Sequence, residues 1–426
     1  MNNTHFSLPF HKYSALGNHF CLFDETDRPL VPEKDKLFFA QEYTAPEYGI
    51  GCDSMLFVQS PTYQTFIDLA GRYGGIWQQN GSYRTVRELI AGNSAEAHAI
   101  MRILEPCGQE SAMCGNGLRC VADYLCNKLN TNRVKIIAEV TTGSPSVYEV
   151  ERTGISRYRI RMQPPRPLPD QFKGAGFNRY ARKVHPVVEA LDIPLPPRLS
   201  DMAGTRLLHC YVTFTGEPHL VCFCSGRSTM ERASVSEHCG LKGIFARSAA
   251  FRSRLLTEIA DYLNEKMRSM SPGEVFNPAE GINVSLAQCE AQTRNHILVQ
   301  VYERGIWGIT KACGTGATAV ASLAMELGII RSSRAVIVCE GSHYRNPGSY
   351  SIPGYVRYCG EMIVQRQDGS WFLTGPAERV FSGEIINFQG ALMGRKEHIK
   401  LLSYNRSRTT GIEHSHGQPY EKEFAA

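Results

Sequence analysis

No run of apolar residues in the 426-residue sequence approaches the roughly eighteen that a membrane-spanning helix needs, so no membrane partner is expected. The opening "MNNTHFSLPFHKYS" gives no sign of a basic segment followed by an apolar one, and the expected location is the cytoplasm. The 46 Lys and Arg residues form no block, so the net charge of +5 is not the footprint of a nucleic-acid binder. No Cys-x-x-Cys pair occurs among the fourteen cysteines, which argues against structural zinc and leaves no metal expected. A Gly-Lys-[Ser/Thr] phosphate loop is absent, as is a G-x-G-x-x-G turn after the first strand, so no nucleotide cofactor is expected either. What remains is an ordinary globular composition, 42% hydrophobic and 20% charged, long enough for two cores. A small molecule is the expected partner, with room for a homodimer.

The apolar clusters of "HKYSALGNHFCLFD", "MLFVQS" and "HAIMRILEP" predict strands. Residues 68–98 between them are polar and Gly-rich, an expected insertion. In "LRCVADYLCNKL", Leu118, Val121, Ala122, Leu125 and Cys126 recur at helical spacing, and Asn116 is placed to cap that helix. Strand alternation resumes in "VKIIAEVTTG", "SVYEVE" and "SRYRIRM", and residues 163–206 then turn proline-rich. A second series follows: "LLHCYVTF", a helical insertion at "AFRSRLLTEIADYLNEKM", "GINVSLAQ", "ILVQVYERG", and a helix in "ATAVASLAMELG" that ends at Gly328. The division is an N-terminal half over 1–165, a C-terminal half over 166–390 and a polar tail over 391–426. Each half is a set of strands, a Cys-Gly-x-Gly turn and one apolar helix, as an internal duplication would leave them.

The two turns are "MCGNG" at Cys114 and "ACGTG" at Cys313. A glycine turn opening a helix exposes backbone N–H groups at the positive end of the helix dipole, a place for a carboxylate. The same dipole is expected to lower a thiol's pKa, leaving one cysteine as thiolate and the other as thiol. Two such turns facing one cleft would put an acid/base group on each side of a carbon next to a carboxylate. Inversion at that carbon needs this symmetry, together with N–H donors that stabilise the carbanion-like state. The other cysteines are read as small buried hydrophobes.

In "HKYSALGNHF", "YGIGCDSMLFV", "MRILEPCGQESAMCGNGLRC", "GEPHLV", "GINVSL", "VYERG", "ACGTGATA" and "LTGPAERVFSGEI" the sequence resembles the diaminopimelate epimerase family. These blocks span residues 11–386. The resemblance implies an α+β fold of two pseudo-symmetric halves, each a strand-rich, barrel-like sheet around a central helix, with the active site in the cleft between them. It implies an isomerase without cofactor, Cys114 and Cys313 as its acid/base pair, and Gly115, Asn116, Gly314 and Thr315 offering backbone N–H groups to the reacting carboxylate. Asn18, Asn283, Glu303 and Arg304 match further substrate contacts, and His219 reads as structural support.

Three positions depart from the family pattern: Glu105 and Glu217 stand where it has Asn, and Ser54 where it has Gln. Beside Arg304, two acids in place of two amides should disfavour a distal carboxylate and favour a distal cation or polar nitrogen group. Diaminopimelate epimerase proper is the alternative, and a non-catalytic amino-acid-binding homologue or a thiol redox protein are the others. Insertions near 68–98, 225–275 and 336–360 lengthen the chain beyond the family core.

Overall fold

The computed structural model describes residues 7–71, 97–138, 146–225, 240–264, 275–277, 280–290, 295–339 and 361–386, and the backbone of 398–404. Most of the expected insertions, and most of the tail, lie outside the described residues.

The first half contains β1 (Ser7–Ala15), β2 (Asn18–Glu25), β3 (Ser54–Gln59), β4 (Ala99–Leu104), the short β5 (Glu110–Ser111), a helix over Gly115–Lys128, β6 (Arg133–Ala138), β7 (Ser146–Gly154) and β8 (Arg157–Met162). A hairpin of β9 (Ala181–His185) and β10 (Val188–Pro194) follows. The second half contains β11 (Leu207–Phe214), β12 (Pro218–Ser225), the short β13 (Leu241–Lys242), β14 (Asn283–Cys289), β15 (His296–Glu303), the short β16 (Gly308–Thr310), a helix over Gly314–Glu326, β17 (Arg334–Cys339), β18 (Glu361–Gln367), β19 (Ser370–Pro376) and β20 (Glu378–Ile386).

The duplication is written in the pairing. In the first half β1–β2 is antiparallel, β2–β3 parallel, β3–β4 antiparallel and β4–β6 parallel, and β6–β7 and β7–β8 are antiparallel. The second half repeats this order with β11–β12, β12–β14, β14–β15, β15–β17, β17–β18 and β18–β19. Even the short β5 and β16 recur, each antiparallel to the strand before it and each just ahead of a cysteine turn. The halves interlock through β8–β19, which aligns Met162 with Trp371, and through β20, which pairs with β1. The C-terminal strands therefore complete the sheet that holds the N-terminal helix.

Both helices are enclosed. The Gly115–Lys128 helix touches β1–β4, β6–β8, β19 and β20, and the Gly314–Glu326 helix touches β11, β12, β14, β15, β17 and β18. The second helix is Ala- and Gly-rich and buried from Gly314 to Ala324, because only small side chains let strands approach a helix on all sides. One core cluster wraps both helices, a second lies between the C-terminal sheet and the helix Ala249–Asn264, and a third sits under the helix Lys36–Thr44. Among the described residues no helix is long and apolar enough to cross a membrane.

One local expectation needs correction. The first helix begins at Gly115, with Cys114 as its N-cap, so Asn116 lies inside the first turn and does not cap it. The proline-rich segment carries the β9–β10 hairpin, whose prolines fall outside or at the end of the strands, where the missing N–H costs no ladder bond.

Candidate active site

Cys114 and Cys313 occupy equivalent positions. Each is the N-cap of its helix, with φ, ψ of −120°, 122° and −121°, 119°. Gly115 and Gly314 follow them and press against each other. A Cβ built on Gly314 would stand 3.2 Å from Gly115 Cα and 2.9 Å from Leu373 Cδ2. Two helices thus meet N-terminus to N-terminus, and the approach is possible only because neither residue carries a side chain. Gly316 N donates to Cys313 Sγ at 3.3 Å, and the backbone amides of Gly117 and Asn116 act on Cys114 in the same sense, favouring its thiolate.

The other candidate residues gather around this junction. Asn18 and Asn116, both from the first half, donate through Nδ2 to the carbonyl oxygen of Ala312 at 2.7 and 2.8 Å, fixing the residue just before Cys313. Thr315 hydrogen-bonds through Oγ1 to His219 Nε2 at 3.0 Å, and its carbonyl accepts from Thr215 Oγ1 at 2.9 Å. His219 is fully buried, and burial, aided by Arg304, pushes its pKa down to about 3. It is a neutral support, as its sequence context suggests.

Glu303 lies within electrostatic reach of two other carboxyls, Glu105 and Glu217. Glu217 is tied to Arg304, with Oε2 2.6 Å from Nη2 and 2.9 Å from Nε. The guanidinium also donates from Nη1 to Glu280 O at 2.7 Å, and Arg304 N donates to Asn283 Oδ1 at 2.9 Å. Asn283 in turn donates to Pro218 O at 3.0 Å. Glu105 accepts from Ser54 Oγ at 2.8 Å, and burial pushes its pKa up. Ser54, in place of a longer amide, thus serves as the partner of a buried acid. Glu303 accepts from the Thr310 hydroxyl and the Cys313 thiol, and burial with its two acidic neighbours raises it to about 7.

The thiols differ from expectation. Burial raises Cys114 to about 12, and raises Cys313 well above the ordinary thiol value with Glu303 adding to the effect. Desolvation and nearby carboxyls outweigh the helix ends, so both thiols are held toward their protonated form.

A pH dependence of stability follows. Glu303 ionises near 4.5 when exposed to water and near 7 in the fold, so the native state favours its protonated form. That contribution is full below about 4.5 and is lost as the pH rises through about 7. Glu105 acts in the same direction. The urea midpoint should fall between pH 5 and 8, and Glu303→Gln should flatten that fall; a midpoint with the same slope in the variant would show that Glu303 does not cause it.

Thr310, Ser111, Thr215 and the Ala312 carbonyl join this arrangement without having been expected from the sequence. The position of Thr310 three residues before Cys313 is its only sequence signal. Among the described residues no group of His, Cys, Asp and Glu is arranged to hold a metal ion.

No family model matches the chain. It is 24% identical over 381 residues to a diaminopimelate epimerase of Methanocella arvoryzae, covering 89% of this chain and 96% of the relative. It is 27% identical over 387 residues to that of Synechococcus elongatus, covering 89% and 98%. Among solved structures, a hydroxyproline epimerase from Agrobacterium vitis superposes with a TM-score of 0.50 at 11% identity, over 91% of this chain and 94% of that one. The repeated strand order, the paired cysteine turns and these matches agree: the chain is similar over nearly nine tenths of its length to proteins named diaminopimelate epimerase, and it shares its fold of two pseudo-symmetric halves with the hydroxyproline epimerase.

Proposed function

We propose that the protein is a cofactor-independent amino-acid racemase or epimerase that inverts the α-carbon through Cys114 and Cys313. The observation that carries this reading is the matched pair of cysteine N-caps on helices that abut at Gly115 and Gly314. A substrate carboxylate at that junction receives N–H donors from both helix ends, which stabilise the charge that develops as the α-proton leaves. One sulfur, as thiolate, takes that proton; the other, as thiol, delivers its own to the opposite face. The two cysteines exchange protonation states and the substrate is inverted. Glu303, hydrogen-bonded by the Cys313 thiol, is the acceptor that lets that sulfur reach the thiolate form, and we assign it to the substrate ammonium as well. We take 1–165 and 166–390 as the two halves that contribute one cysteine each, acting on a small molecule in the cytoplasm, with a homodimer compatible with this reading.

The distal pocket favours a substrate ending in a cation or a polar nitrogen group. Arg304 is already paired with Glu217, so a distal carboxylate would have to displace that bond, while Glu105 adds a second acid. The alternative is diaminopimelate itself, supported by the retained Asn283, Glu303 and Arg304. A comparison of kcat/KM for LL-diaminopimelate, lysine, ornithine, arginine and histidine separates the two. The wild type should prefer a basic amino acid or histidine, and Glu105→Asn with Glu217→Asn should shift the ratio toward diaminopimelate by roughly tenfold, about 1.4 kcal/mol. A wild-type preference for diaminopimelate, or an unmoved ratio, would refute the charge reading. A binding homologue would bind with no α-proton exchange, and a thiol redox protein would be inhibited by reductant, which the racemase needs.

A further inference from the structure

Arg119 lies one turn into the Cys114 helix with 0% of its surface exposed. A guanidinium brought fully out of water is ordinarily matched by a carboxylate, because an unpaired buried charge is costly. Among the described residues no carboxylate hydrogen-bonds to it or forms an ion pair with it. Its donors end on neutral acceptors instead: Nη2 on Asn116 Oδ1 at 2.6 Å, Nε on Pro376 O at 3.1 Å, and Nη1 on Met362 Sδ at 3.9 Å. The surroundings fit the group closely. A Cβ on Gly375 of β19 would stand 3.0 Å from the guanidinium carbon, so the strand backbone runs directly over the charge. The titratable groups that face it are thiols, those of Cys114, Cys120 and Cys339.

The contact with Asn116 gives this cation a reach beyond its own helix. A guanidinium can only donate, so it fixes the amide oxygen of Asn116 toward itself and turns the NH2 the other way. That NH2 donates to Ala312 O, the carbonyl immediately before Cys313. The chain of contacts therefore runs from Arg119 in the first half, through Asn116, to the cysteine turn of the second.

We propose that Arg119 is a positioning residue for the paired cysteines: it locks Asn116 against the Cys313 turn and supplies a permanent buried cation beside the Cys114 thiol. It touches neither the substrate nor the reacting atoms. Cys114 is among the thiols that interact with its charge, so the cation opposes Glu303 and Glu105, which disfavour the thiolate there. The kinetic part of this inference rests on the racemase reading above; the thiol chemistry does not.

The test is the rate of site-resolved alkylation of Cys114 by iodoacetamide at one fixed pH of about 8, followed by mass spectrometry on the full chain, for wild type, Arg119→Met and Arg119→Lys. The methionine variant should react about tenfold more slowly, because the thiolate fraction falls, and the lysine variant within about twofold of wild type, because the charge is kept. Both should lower kcat about tenfold or more with KM changed less than about threefold, since neither a neutral thioether nor a single ammonium can replace the fork that holds Asn116. Equal alkylation rates in wild type and Arg119→Met would overturn the charge role. Unchanged kcat in Arg119→Lys would overturn the positioning role, and this variant decides the matter if the methionine variant does not fold. Should the wild type invert no amino acid, the racemase reading fails, and the alkylation rates still decide whether Arg119 tunes the thiol.

Discussion

Replacing either Cys114 or Cys313 by Ala is expected to lower racemisation about a thousandfold or more while leaving substrate binding within a few fold. In the proposed reaction each sulfur serves one face of the α-carbon, so the loss of one cannot be covered by the other. The two single variants should be almost as inactive as the double, because the residues act as a unit. The position of Cys313 in the hydrogen-bond network adds a distinguishing detail. Its thiol donates to Glu303, so removing it should raise the Glu303 carboxyl further, whereas Cys114→Ala should leave that acid less disturbed. Binding measured by calorimetry beside the rate of inversion would separate the loss of chemistry from the loss of the pocket. Substantial inversion by either variant would contradict a two-cysteine reaction.

Gly314→Ala should have the next largest effect. Its new Cβ would meet Leu373 Cδ2 at 2.9 Å and Gly115 Cα at 3.2 Å, and the second of these is backbone that cannot rotate away. The helix ends would be forced apart, at a cost of about 1–3 kcal/mol in stability. A displacement at a site that depends on two groups facing one carbon costs more in rate, on the order of a hundredfold. Leu373 is fully buried, and shortening it to Ala relieves only the side-chain half of the clash. The double variant Gly314→Ala, Leu373→Ala should accordingly fold no better than a cavity allows and remain slow. An active Gly314→Ala enzyme would mean that the junction of the helices does not set the reaction geometry.

The local features of this architecture are legible in the sequence. The spacing of Leu118, Val121, Ala122 and Leu125 and the glycine turns at Cys114 and Cys313 are short-range patterns, and a helix opens at each turn. Features set by distant pairing are not. Nothing in "WFLTGP" announces that Trp371 aligns with Met162 two hundred residues earlier, or that β20 joins β1, because strand alternation records a face and not a partner. The site shows the same division. The residue identities point to acid/base cysteines and to two anomalous acids, yet the ion pair between Glu217 and Arg304 depends on where two separate strand ends meet. The protonation of the thiols departs from the sequence expectation, since a helix dipole can be read from sequence and the depth of burial cannot. Arg119 is invisible there as a special residue: between Leu118 and Cys120 it reads as a helix surface charge, and only the closure of strands on every side of the helix makes it interior.

The most direct test of a two-cysteine inversion follows a single enantiomer of the preferred amino acid through its first turnovers in heavy water. With one sulfur removing the α-proton and the other delivering a solvent-derived one, the product enantiomer should carry deuterium at the α-carbon from the earliest times, while the unreacted substrate keeps its proton. Deuterium appearing equally in recovered substrate and product would mean that one group serves both faces, and Cys114 and Cys313 would then not divide the two faces of the α-carbon between them.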